Sequence, residues 1–272
     1  MDKEKALKKK KRLISLLSEM DSLLVAFSGG VDSTFLLAVA QEALGERVVG
    51  ATAASPAYPS REREEAVAFA EQRGISHILF DSDETCIPEF IANNPDRCYH
   101  CKKSLSRELL DIADQKGIDH VAHAANTDDL GDYRPGMQAA EEMGLIAPLL
   151  DAQLNKEEIR FLSREMGLPT WDKSAMACLA SRIPYGETIT EEKLRMVGEA
   201  ETFLAEKGFK QYRVRYHGKV ARIEVNIADL ERMIAPVFRK EIVHKFRAIG
   251  FQHIALDLEG YITGSLNRAL AT

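Results

Sequence analysis

The amino-acid sequence predicts an α/β protein whose parallel sheet carries helices on both faces, because short apolar runs alternate with segments of helical periodicity. The runs that we predict as strands are LLVAF at 23–27, VVGATA at 48–53, HILF at 77–80 and HVAHAA at 120–125. The helical segments between them are STFLLAVAQEAL, REREEAVAFAEQRG and KKSLSRELLDIADQKG, two of which end at glycine. A helix between successive strands favours parallel pairing, since parallel neighbours need a crossover connection.

A further helix is predicted at about 156–166, where it would close the first domain. Asn155 is a suitable N-cap residue, and Glu158 stands three positions later, which is the spacing of a capping box. Leu154 and Ile159 have the spacing of a hydrophobic staple at the same helix start.

The pattern changes after the irregular stretch WDKSAMACLASRIPYG. The predicted elements that follow are a helix near 190–207, strands QYRVRYH and ARIEV, a helix near 229–248 and a strand HIALDL. This content favours a small α+β domain with an antiparallel sheet. We therefore predict two domains, at 1–168 and 169–272.

Composition and charge narrow the class of partner. The 272 residues include 36 Lys and Arg against 42 Asp and Glu, a formal net charge of -6, which disfavours long-range attraction of a nucleic acid. No apolar run approaches the roughly 20 residues that span a bilayer. The start MDKEKALKKKKRLISLL lacks the apolar core of a signal peptide. We expect a cytoplasmic protein with neither a nucleic-acid nor a membrane partner.

The segment FSGGVDS joins the first predicted strand to the first amphipathic helix. Gly29 and Gly30 permit positive φ and outward-facing N–H groups, and the helix start adds its own unpaired N–H groups and dipole. Ser28 and Ser33 can donate to phosphate oxygens, and Asp32 can hold a magnesium ion or a ligand hydroxyl. The segment thus favours an anion site at the carboxyl edge of the sheet. The alternative is a Ser/Gly turn that only caps a helix.

The four cysteines are too few for a disulfide scaffold. Cys98 and Cys101 form a C-x-x-C pair, which in a reducing compartment indicates metal or redox chemistry. Cys86 lies outside any motif, and we predict it as a small buried residue.

The form SGGxDS lacks the lysine of the Walker loop and resembles the PP-loop of the ATP pyrophosphatase superfamily. The resemblance implies that a substrate oxygen attacks the α-phosphate of ATP, that pyrophosphate leaves, and that a nucleophile later displaces AMP. Members include amidotransferases, NAD synthetases and tRNA thiolases, so this motif predicts the first half-reaction only.

A second set of motifs extends over nearly the full length: PDRCYHCKK at 95–103, TDDLGDYRPG at 127–136, ACLASRIPYG at 177–186, RVRYHGKVARIE at 213–224 and LDLEGYITGSLN at 256–267. In sequence and in order, these motifs resemble those of the LarE family. The resemblance implies an ATP-dependent sulfur transferase that converts a carboxylate of pyridinium-3,5-biscarboxylic acid mononucleotide into a thiocarboxylate. The product becomes part of the nickel-pincer nucleotide cofactor of lactate racemase. It also implies an ATP-binding first domain, a substrate-binding and sulfur-transfer second domain, and a homo-oligomer, either a trimer or a hexamer.

Cys98, Cys101 and Cys178 match the family branch in which three cysteines bind a 4Fe-4S cluster. In another branch a single cysteine gives up its sulfur and becomes dehydroalanine. Three thiolates leave the fourth iron open to an extra sulfide, which would permit repeated turnover. The alternatives are a persulfide or disulfide relay, or a zinc site with His100 as a further ligand.

Arg213 and Arg215 alternate along one predicted strand, so both guanidinium groups can converge on one phosphate. The resemblance implies that they bind the phosphate of the mononucleotide, and the alternative is a solvated strand face. Ser181 and Arg182 are expected to hold the substrate near Cys178. Glu201 matches a family position near the substrate, with a helix-surface glutamate as the alternative.

The remaining ATP-site predictions lie on loops at the same sheet edge. Asp132 and Arg134 precede a proline, which places them in a loop. We expect Arg134 to contact ATP or the adenylate and Asp132 to orient it or bind magnesium; the alternative is a structural pairing within the loop. Lys102 could neutralise charge that develops at the α-phosphate. The end of the second strand, from Thr52, is expected to contact adenine through its backbone.

Two rival functions remain open from the sequence. One is a PP-loop tRNA thiolase that uses the same cysteines, although the acidic net charge and the lack of an obvious RNA-binding module disfavour it. The other is a sulfur or cluster carrier that binds nucleotide only as a regulatory ligand. Release of pyrophosphate that depends on a pyridinium dicarboxylate would exclude the carrier.

Overall fold

A computed structural model describes residues 1–131, 135–174 and 177–262. The helices, numbered in chain order, are α1 (Lys3–Ser18), α2 (Val31–Leu44), α3 (Ser60–Arg73), α4 (Pro88–Ile91), α5 (Arg97–Lys116), α6 (Pro135–Glu142), α7 (Pro148–Asp151), α8 (Lys156–Glu165), α9 (Glu191–Glu206), α10 (Leu230–Ile234) and α11 (Pro236–Ile249). The strands are β1 (Leu23–Ala26), β2 (Val48–Ala54), β3 (Ser76–Asp81), β4 (His120–Ala122), β5 (Tyr212–His217), β6 (Val220–Val225) and β7 (His253–Leu256). Over these described ranges, no helix has both the length and the apolar character needed to cross a membrane.

The chain divides into two compact units that are interleaved in sequence. The first comprises Met1–Ser55, Ser60–Glu84 and Cys98–Met176, and the second comprises Pro56–Pro59, Thr85–Arg97 and Ala177–Thr272. The predicted division into domains 1–168 and 169–272 stays a prediction.

The first unit contains a four-stranded sheet of order β3-β2-β1-β4. All its pairings are parallel, as the alternation of strands and helices predicts. Leu23 and Val25 of β1 point into one apolar cluster with α1, α2, α3 and α8, while Leu24 points into another with α5 and α6. Since successive residues of a strand face opposite sides, helices cover both faces, and the predicted fold class is confirmed.

The strand order places a topological switch point beside β1. The chain passes from β1 to β2 on one side, and the strand on the other side of β1 is β4, reached only after β3. In parallel sheets, ligands bind outside the carboxyl ends of the strands at such a point. The FSGGVDS segment begins directly after β1 and therefore lies at this edge.

The helix α8 begins where the sequence predicts it. The side chain of Asn155 accepts a hydrogen bond from the backbone N–H of Glu158 (2.8 Å), and the Glu158 carboxylate accepts one from the N–H of Asn155 (3.0 Å). Leu154 and Ile159 are both fully buried beside this start. The predicted capping box is thus confirmed.

The second unit contains a three-stranded sheet of order β5-β6-β7. The predicted all-antiparallel sheet is wrong, because β5 and β6 pair antiparallel but β6 and β7 pair parallel. Helices lie between β6 and β7, and such a crossover returns the chain in the same direction. The helix predicted near 229–248 is two helices, because Ala235, which precedes Pro236, adopts an extended ψ of 133°.

The segment Thr85–Arg97 is held within the second unit by Asn93. The Nδ2 group of this buried side chain donates to the carbonyl oxygens of Pro184 (2.7 Å) and Glu187 (2.9 Å), and the Arg97 guanidinium donates to its Oδ1 (2.5 Å). These hydrogen bonds fix the segment to the stretch that follows Cys178.

Candidate active site

The FSGGVDS loop turns from β1 into α2 through one left-handed residue. Gly29 has φ of 68°, and an added Cβ would lie 3.2 Å from the carbonyl oxygen of Glu62 and from Cβ of Ala66 on α3. Both the backbone conformation and the close packing therefore require glycine. Gly30 has φ of -79° and is the N-cap of α2, so the predicted freedom at positive φ is used at the first glycine only.

The N-terminus of α2 has the features of an anion site. Gly30 gives no side-chain cap to the helix, and the first N–H groups of a helix have no acceptor within it. The hydroxyls of Ser28 and Ser33 lie 3.1 Å apart at this end, and Ser33 Oγ donates weakly to the Gly30 carbonyl (3.3 Å). A phosphate here could accept hydrogen bonds from these N–H groups and hydroxyls.

Two lysines from later segments contact the loop, which has no lysine of its own. Lys173 Nζ donates to the carbonyl oxygen of Gly29 (3.0 Å) and to the carboxylate of Glu65 (2.9 Å). Lys156 Nζ, at the start of α8, forms an ion pair with Oδ2 of Asp32. The fold thus supplies the positive charge that the motif lacks.

Only one of the two carboxylate oxygens of Asp32 has a hydrogen-bond partner in the described part of the chain. Its Oδ1 is buried and has no hydrogen-bond partner within the described part of the chain. Burial raises the pKa of Asp32, and the charge and hydrogen bond of Lys156 offset this effect only in part. A cation bound at Oδ1 would favour the charged form, and carboxylate oxygens are ligands that Mg²⁺ prefers.

The predicted adenine edge of β2 is tied to its neighbours. The hydroxyl of Thr52, which is buried, donates to the carbonyl oxygen of Phe27 (2.6 Å) and lies 2.8 Å from Nε2 of His77 on β3. Burial lowers the pKa of His77, so this imidazole is neutral and can donate from Nε2. The side chain of Thr52 is therefore engaged with protein groups, and its predicted backbone contact with adenine stays a prediction.

The C-x-x-C pair lies in the first turn of α5. Cys98 is exposed, whereas Cys101 is buried with 5% of its surface accessible. Residues three apart on a helix share one face, so both thiols lie on the same side of α5. Lys102 follows them directly in the sequence.

Lys102 lies near the carboxyl end of β4. Burial lowers the pKa of His123, which follows that strand, and the positive charge of Lys102 lowers it further. A Cβ on Gly136 would be 2.8 Å from Cγ of Lys102, so the lysine stem packs closely against the start of α6. The first turns of α5 are thereby brought to the edge of the sheet where the FSGGVDS loop lies.

The loop that carries Cys178 is fixed by Arg182, which is fully buried. Its Nη1 donates to the carbonyl oxygens of Ala177 (2.8 Å) and Cys178 (3.2 Å) and to Oγ of Ser181 (2.8 Å). Its Nε and Nη2 donate to the two carboxylate oxygens of Glu201, each at 2.8 Å. The predicted direct contact of Arg182 with substrate stays a prediction; in this structure its hydrogen bonds hold the cysteine loop.

The two strand arginines are buried, so the solvated-face alternative is wrong. Arg215 makes two parallel hydrogen bonds to Glu224, each at 2.9 Å, and donates to the Ser181 carbonyl oxygen at 2.9 Å. The Arg213 guanidinium lies 5.0 Å from the centre of the Tyr261 ring. Burial lowers the pKa of Arg213, and the nearby charge of Arg182 lowers it further. An anion at this point would favour the charged form of Arg213.

Two other predictions, for Cys86 and Glu201, have definite outcomes. Cys86 is exposed, so its prediction as a buried residue is wrong; it follows β3 in a short 3-10 turn, Glu84–Cys86. The surface alternative for Glu201 is also wrong, since the side chain is buried beneath β5 and accepts the N–H of Val214 (2.9 Å).

Two of the predicted ATP-site residues, Asp132 and Arg134, lie outside the described residues. Within residues 1–131, 135–174 and 177–262, no group of three or more His, Cys, Asp or Glu side chains is placed to hold a metal ion. Cys98 and Cys101 belong to the first unit, and Cys178 belongs to the second.

Comparison with known proteins agrees with this arrangement. The NAD synthase family profile matches residues 10–93, which include β1, the FSGGVDS loop and α2. Pyridinium-3,5-bisthiocarboxylic acid mononucleotide synthase of Lactiplantibacillus plantarum is 35% identical over 264 residues, covering 96% of this chain and 95% of that enzyme. The chain belongs to the LarE family, of which that synthase is a member.

Other relatives mark the extent of the likeness. An uncharacterized protein of Synechocystis is 45% identical over 96% of this chain and 98% of its own length. Argininosuccinate synthase of Haloarcula marismortui is 28% identical over 156 residues, which is 53% of this chain and 37% of that enzyme. The LarE likeness therefore spans both units, whereas the likeness to argininosuccinate synthase covers about half of the chain.

Sequence reasoning missed four residues of this LarE-family site: Lys156, Lys173, His77 and Glu224. Lys156 stands at the first position of the predicted helix α8, and its pairing with Asp32 depends on a contact across 124 positions. Glu224 had a usable signal, because it alternates with Arg222 on the strand that pairs with Arg215. Neither lysine has a local pattern that distinguishes it from a solvated surface lysine.

Proposed function

We propose that this chain is an ATP-dependent sulfur transferase acting on pyridinium-3,5-biscarboxylic acid mononucleotide, whose product serves the nickel-pincer cofactor of lactate racemase. The observation that carries the proposal is the 35% identity to the synthase of L. plantarum over 96% of the chain. The uncapped start of α2 after β1 supports it independently, because adenylation requires a site for a triphosphate.

In the first half-reaction, a carboxylate oxygen of the substrate attacks the α-phosphorus of ATP. The bond to the bridging oxygen of the β-phosphate breaks, and pyrophosphate leaves with that electron pair. The acyl adenylate then carries AMP as a leaving group, which the free carboxylate lacks. The residues that we propose to bind the leaving phosphates are those of the loop: Ser28, Gly29, Gly30 and Ser33.

Asp32 fits a magnesium ion, because its buried Oδ1 has no hydrogen-bond partner in the described part of the chain. A bound Mg²⁺ would neutralise charge on the phosphates during their departure. We assign Asp132 and Arg134 to the same site, as the motif resemblance suggests. Lys102 is proposed to stabilise charge at the α-phosphate, which its position near His123 at the sheet edge supports.

Arg213 and Arg215 are proposed to bind the phosphate of the mononucleotide. Both guanidinium groups are buried, and the lowered pKa of Arg213 means that an anionic partner would be stabilising there. We propose that Glu201 and Arg182 act on the reaction by holding the Cys178 loop and Ser181, since their described hydrogen bonds join α9 to that loop.

In the second half-reaction, a sulfide sulfur attacks the carbonyl carbon of the adenylate. A carbon–sulfur bond forms, the carbon–oxygen bond to AMP breaks, and AMP leaves with the electron pair. We propose that Cys98, Cys101 and Cys178 provide the sulfur site as ligands of a 4Fe-4S cluster, because thiolates are the ligands of such clusters and a set of three leaves one iron open to an extra sulfide. When bound, the cluster would supply the sulfide.

Pyrophosphate release tests the first half-reaction. We expect release from ATP and Mg²⁺ to require pyridinium-3,5-biscarboxylic acid mononucleotide, with AMP appearing in equal amount once sulfide is present. Release that proceeds equally with an unmodified tRNA and not with the mononucleotide would instead assign the chain to the tRNA thiolases. Binding of ATP without any turnover would instead favour a sulfur or cluster carrier that binds nucleotide as a regulatory ligand.

Iron content and turnover number test the second half-reaction. We expect about four irons and labile sulfide per chain in protein purified without oxygen, and repeated thiocarboxylate formation when sulfide is added. Cys178→Ala should abolish sulfur transfer and retain adenylation. Cys86→Ala is the matched control, because it removes an exposed thiol outside the three-cysteine set. A single turnover with loss of mass at Cys178 would mean that this cysteine is consumed.

A further inference from the structure

Lys156 joins the loops that follow two neighbouring strands. Its Nζ pairs with Oδ2 of Asp32 in the first turn of α2, which follows β1. Its backbone N–H donates to Oδ2 of Asp128 (3.1 Å), in the 3-10 turn after β4. Since β1 and β4 are adjacent, a single residue connects both sides of the switch point where the nucleotide is expected.

The ion pair between Lys156 and Asp32 has the properties of an exchangeable contact. The two side chains keep 31% and 21% of their surface accessible, whereas the buried pair of Arg182 and Glu201 keeps 0% and 2%. Solvent therefore reaches the pair of Lys156 and Asp32 and screens it in part. Only one carboxylate oxygen of Asp32 is used, and Oδ1 has no partner within the residues that the structure describes.

A second ion pair at the start of α8 is a fixed contact and can be compared with that of Lys156. Lys9 donates to both carboxylate oxygens of Glu158, each at 2.7 Å. The side chain of Glu158 is 6% exposed, and its second role is in the capping box of α8. Both carboxylate oxygens of Glu158 are occupied by Lys9, and the pair therefore serves as an internal standard for Lys156.

The charges around Asp32 favour a cation beside it even without a ligand. Burial of Asp32 and the negative charge of Asp129 both raise its pKa, and the positive charges of Lys156 and Arg160 oppose them. An ammonium group on a flexible stem can supply this charge and later leave, because it is a point charge without fixed geometry.

We propose that Lys156 is a tethered counter-cation that occupies the Asp32 carboxylate in the nucleotide-free enzyme, moves to the β- and γ-phosphates when these bind, and so leaves the carboxylate to Mg²⁺. The inference rests on the proposed ATP-dependent function. A divalent ion on Oδ1 repels an ammonium group on Oδ2, and the N–H groups and hydroxyls at the start of α2 place the phosphates beside the same carboxylate. Lys156 thus takes over the role of the lysine that the Walker loop carries within its own motif.

Binding of inorganic pyrophosphate tests the proposal without turnover. Isothermal titration of the full chain should be carried out with and without Mg²⁺ for the wild type, Lys156→Met, Lys156→Arg and Lys9→Met. We expect Lys156→Met to weaken Mg²⁺-free binding about tenfold or more, the loss for a hydrogen bond to a charged group. The half-saturating Mg²⁺ concentration in the absence of pyrophosphate should fall, because no ammonium competes for Asp32.

The other two variants separate this role from a structural one. Lys156→Arg should restore Mg²⁺-free binding, since it keeps the positive charge. Lys9→Met should lower the thermal midpoint of unfolding and leave both binding constants unchanged.

Three results would overturn the proposal. Wild-type binding constants in Lys156→Met would mean that Lys156 only stabilises the start of α8. A higher Mg²⁺ requirement in this variant would mean that Lys156 assists the metal. If the wild type bound neither pyrophosphate nor ATP, the proposed function would fail together with the inference. If the wild type bound pyrophosphate and the Lys156 variants bound it equally well, only the inference would fail.

Discussion

The two units hold their charged groups in contrasting ways. Around the FSGGVDS loop of the first unit, the ion pairs of Lys156 and Lys173 are partly exposed, and Oδ1 of Asp32 has no described partner. In the second unit, Arg182 with Glu201 and Arg215 with Glu224 form buried pairs with two hydrogen bonds each.

The difference indicates which charges can exchange partners during a reaction. A partly exposed pair is stabilised by little and can be replaced by a ligand. A buried bidentate pair cannot lose one member without leaving an uncompensated charge in a medium of low dielectric constant. We therefore expect the first unit to rearrange its charges when Mg·ATP binds and the second to present a preformed site.

The largest effect should follow from breaking a buried pair in the second unit. Glu201→Ala leaves the guanidinium of Arg182 without its carboxylate, and the loss of one partner of a buried pair costs about 3–5 kcal/mol. Urea unfolding measures the free energy directly.

Glu199→Ala is the matched control, since Glu199 lies on the same helix and pairs with Arg195 at the surface. Its expected cost is at most about 0.5 kcal/mol, the scale of i,i+4 pairs on exposed helix faces. Equal losses from the two changes would show that burial does not distinguish these pairs.

The second largest effect should be on substrate binding by the buried arginines of the second unit. Arg213→Ala should weaken binding of the mononucleotide by about 1.5 to 3 kcal/mol, the range for a hydrogen bond to a charged group. Its effect on the free energy of unfolding should be smaller than that of Glu201→Ala, because Arg213 is held in its charged form against burial and the charge of Arg182.

Equilibrium binding of the mononucleotide, with Arg195→Ala as the exposed control, measures this difference. Affinity equal to that of the wild type would place the substrate phosphate elsewhere in the chain.

The fold was largely predictable from the sequence because it depends on local periodicity. The apolar runs at 23–27 and 48–53 and the capping box at Asn155 each specify an element within a few residues. The direction of β7 was not predictable in the same way, since strand pairing depends on the route of the connection and not on the strand's own residues.

The candidate site was predictable where its chemistry lies in one short motif. Gly29 and Asp32 belong to such a motif, whereas Lys156 reaches Asp32 only after the sheet has formed. Glu201 could not be recognised as buried from its helix, because its partner Arg182 lies in the irregular segment 171–186. Long-range pairing of charges therefore accounts for most of what sequence reasoning missed.

A moderate effect is expected at the turn that shapes the phosphate site. Gly29→Ala places a Cβ on a residue with φ of 68° and within 3.2 Å of α3; the left-handed strain alone costs about 1–2 kcal/mol. Gly74→Ala has a similar φ of 64° but no atom within 4 Å of the new Cβ.

The difference in unfolding free energy between these two variants isolates the packing contribution at Gly29. Only Gly29→Ala should also weaken ATP binding. If the two variants lost equal stability and bound ATP equally well, the close approach of α3 to the loop would have no consequence.

The smallest effect, and the one with the most informative sign, concerns the pH dependence of stability. Burial raises the pKa of Asp32 in the folded protein in spite of Lys156. Above the ordinary aspartate pKa of about 4, the unfolded chain loses this proton first, so the free energy of unfolding falls as the pH rises through the folded pKa. As the pH rises through this range, Asp32→Asn should therefore become more stable relative to the wild type. The same variant should lose the Mg²⁺-dependent increase in ATP affinity.

Glu65 provides a comparison of opposite sign within the same unit. Burial acts to raise its pKa, but the hydrogen bonds from Lys173 and Arg61 outweigh burial, and the pKa is lowered. Its contribution to stability is present above the ordinary glutamate pKa and is lost as the pH falls through the folded value, so Glu65→Gln should be less stable than the wild type near neutral pH. Unfolding curves at several pH values measure both differences. Slopes of the same sign would mean that Asp32 is a structural carboxylate like Glu65, whereas opposite slopes would mark Asp32 as a charge held in place for a ligand at the expense of stability.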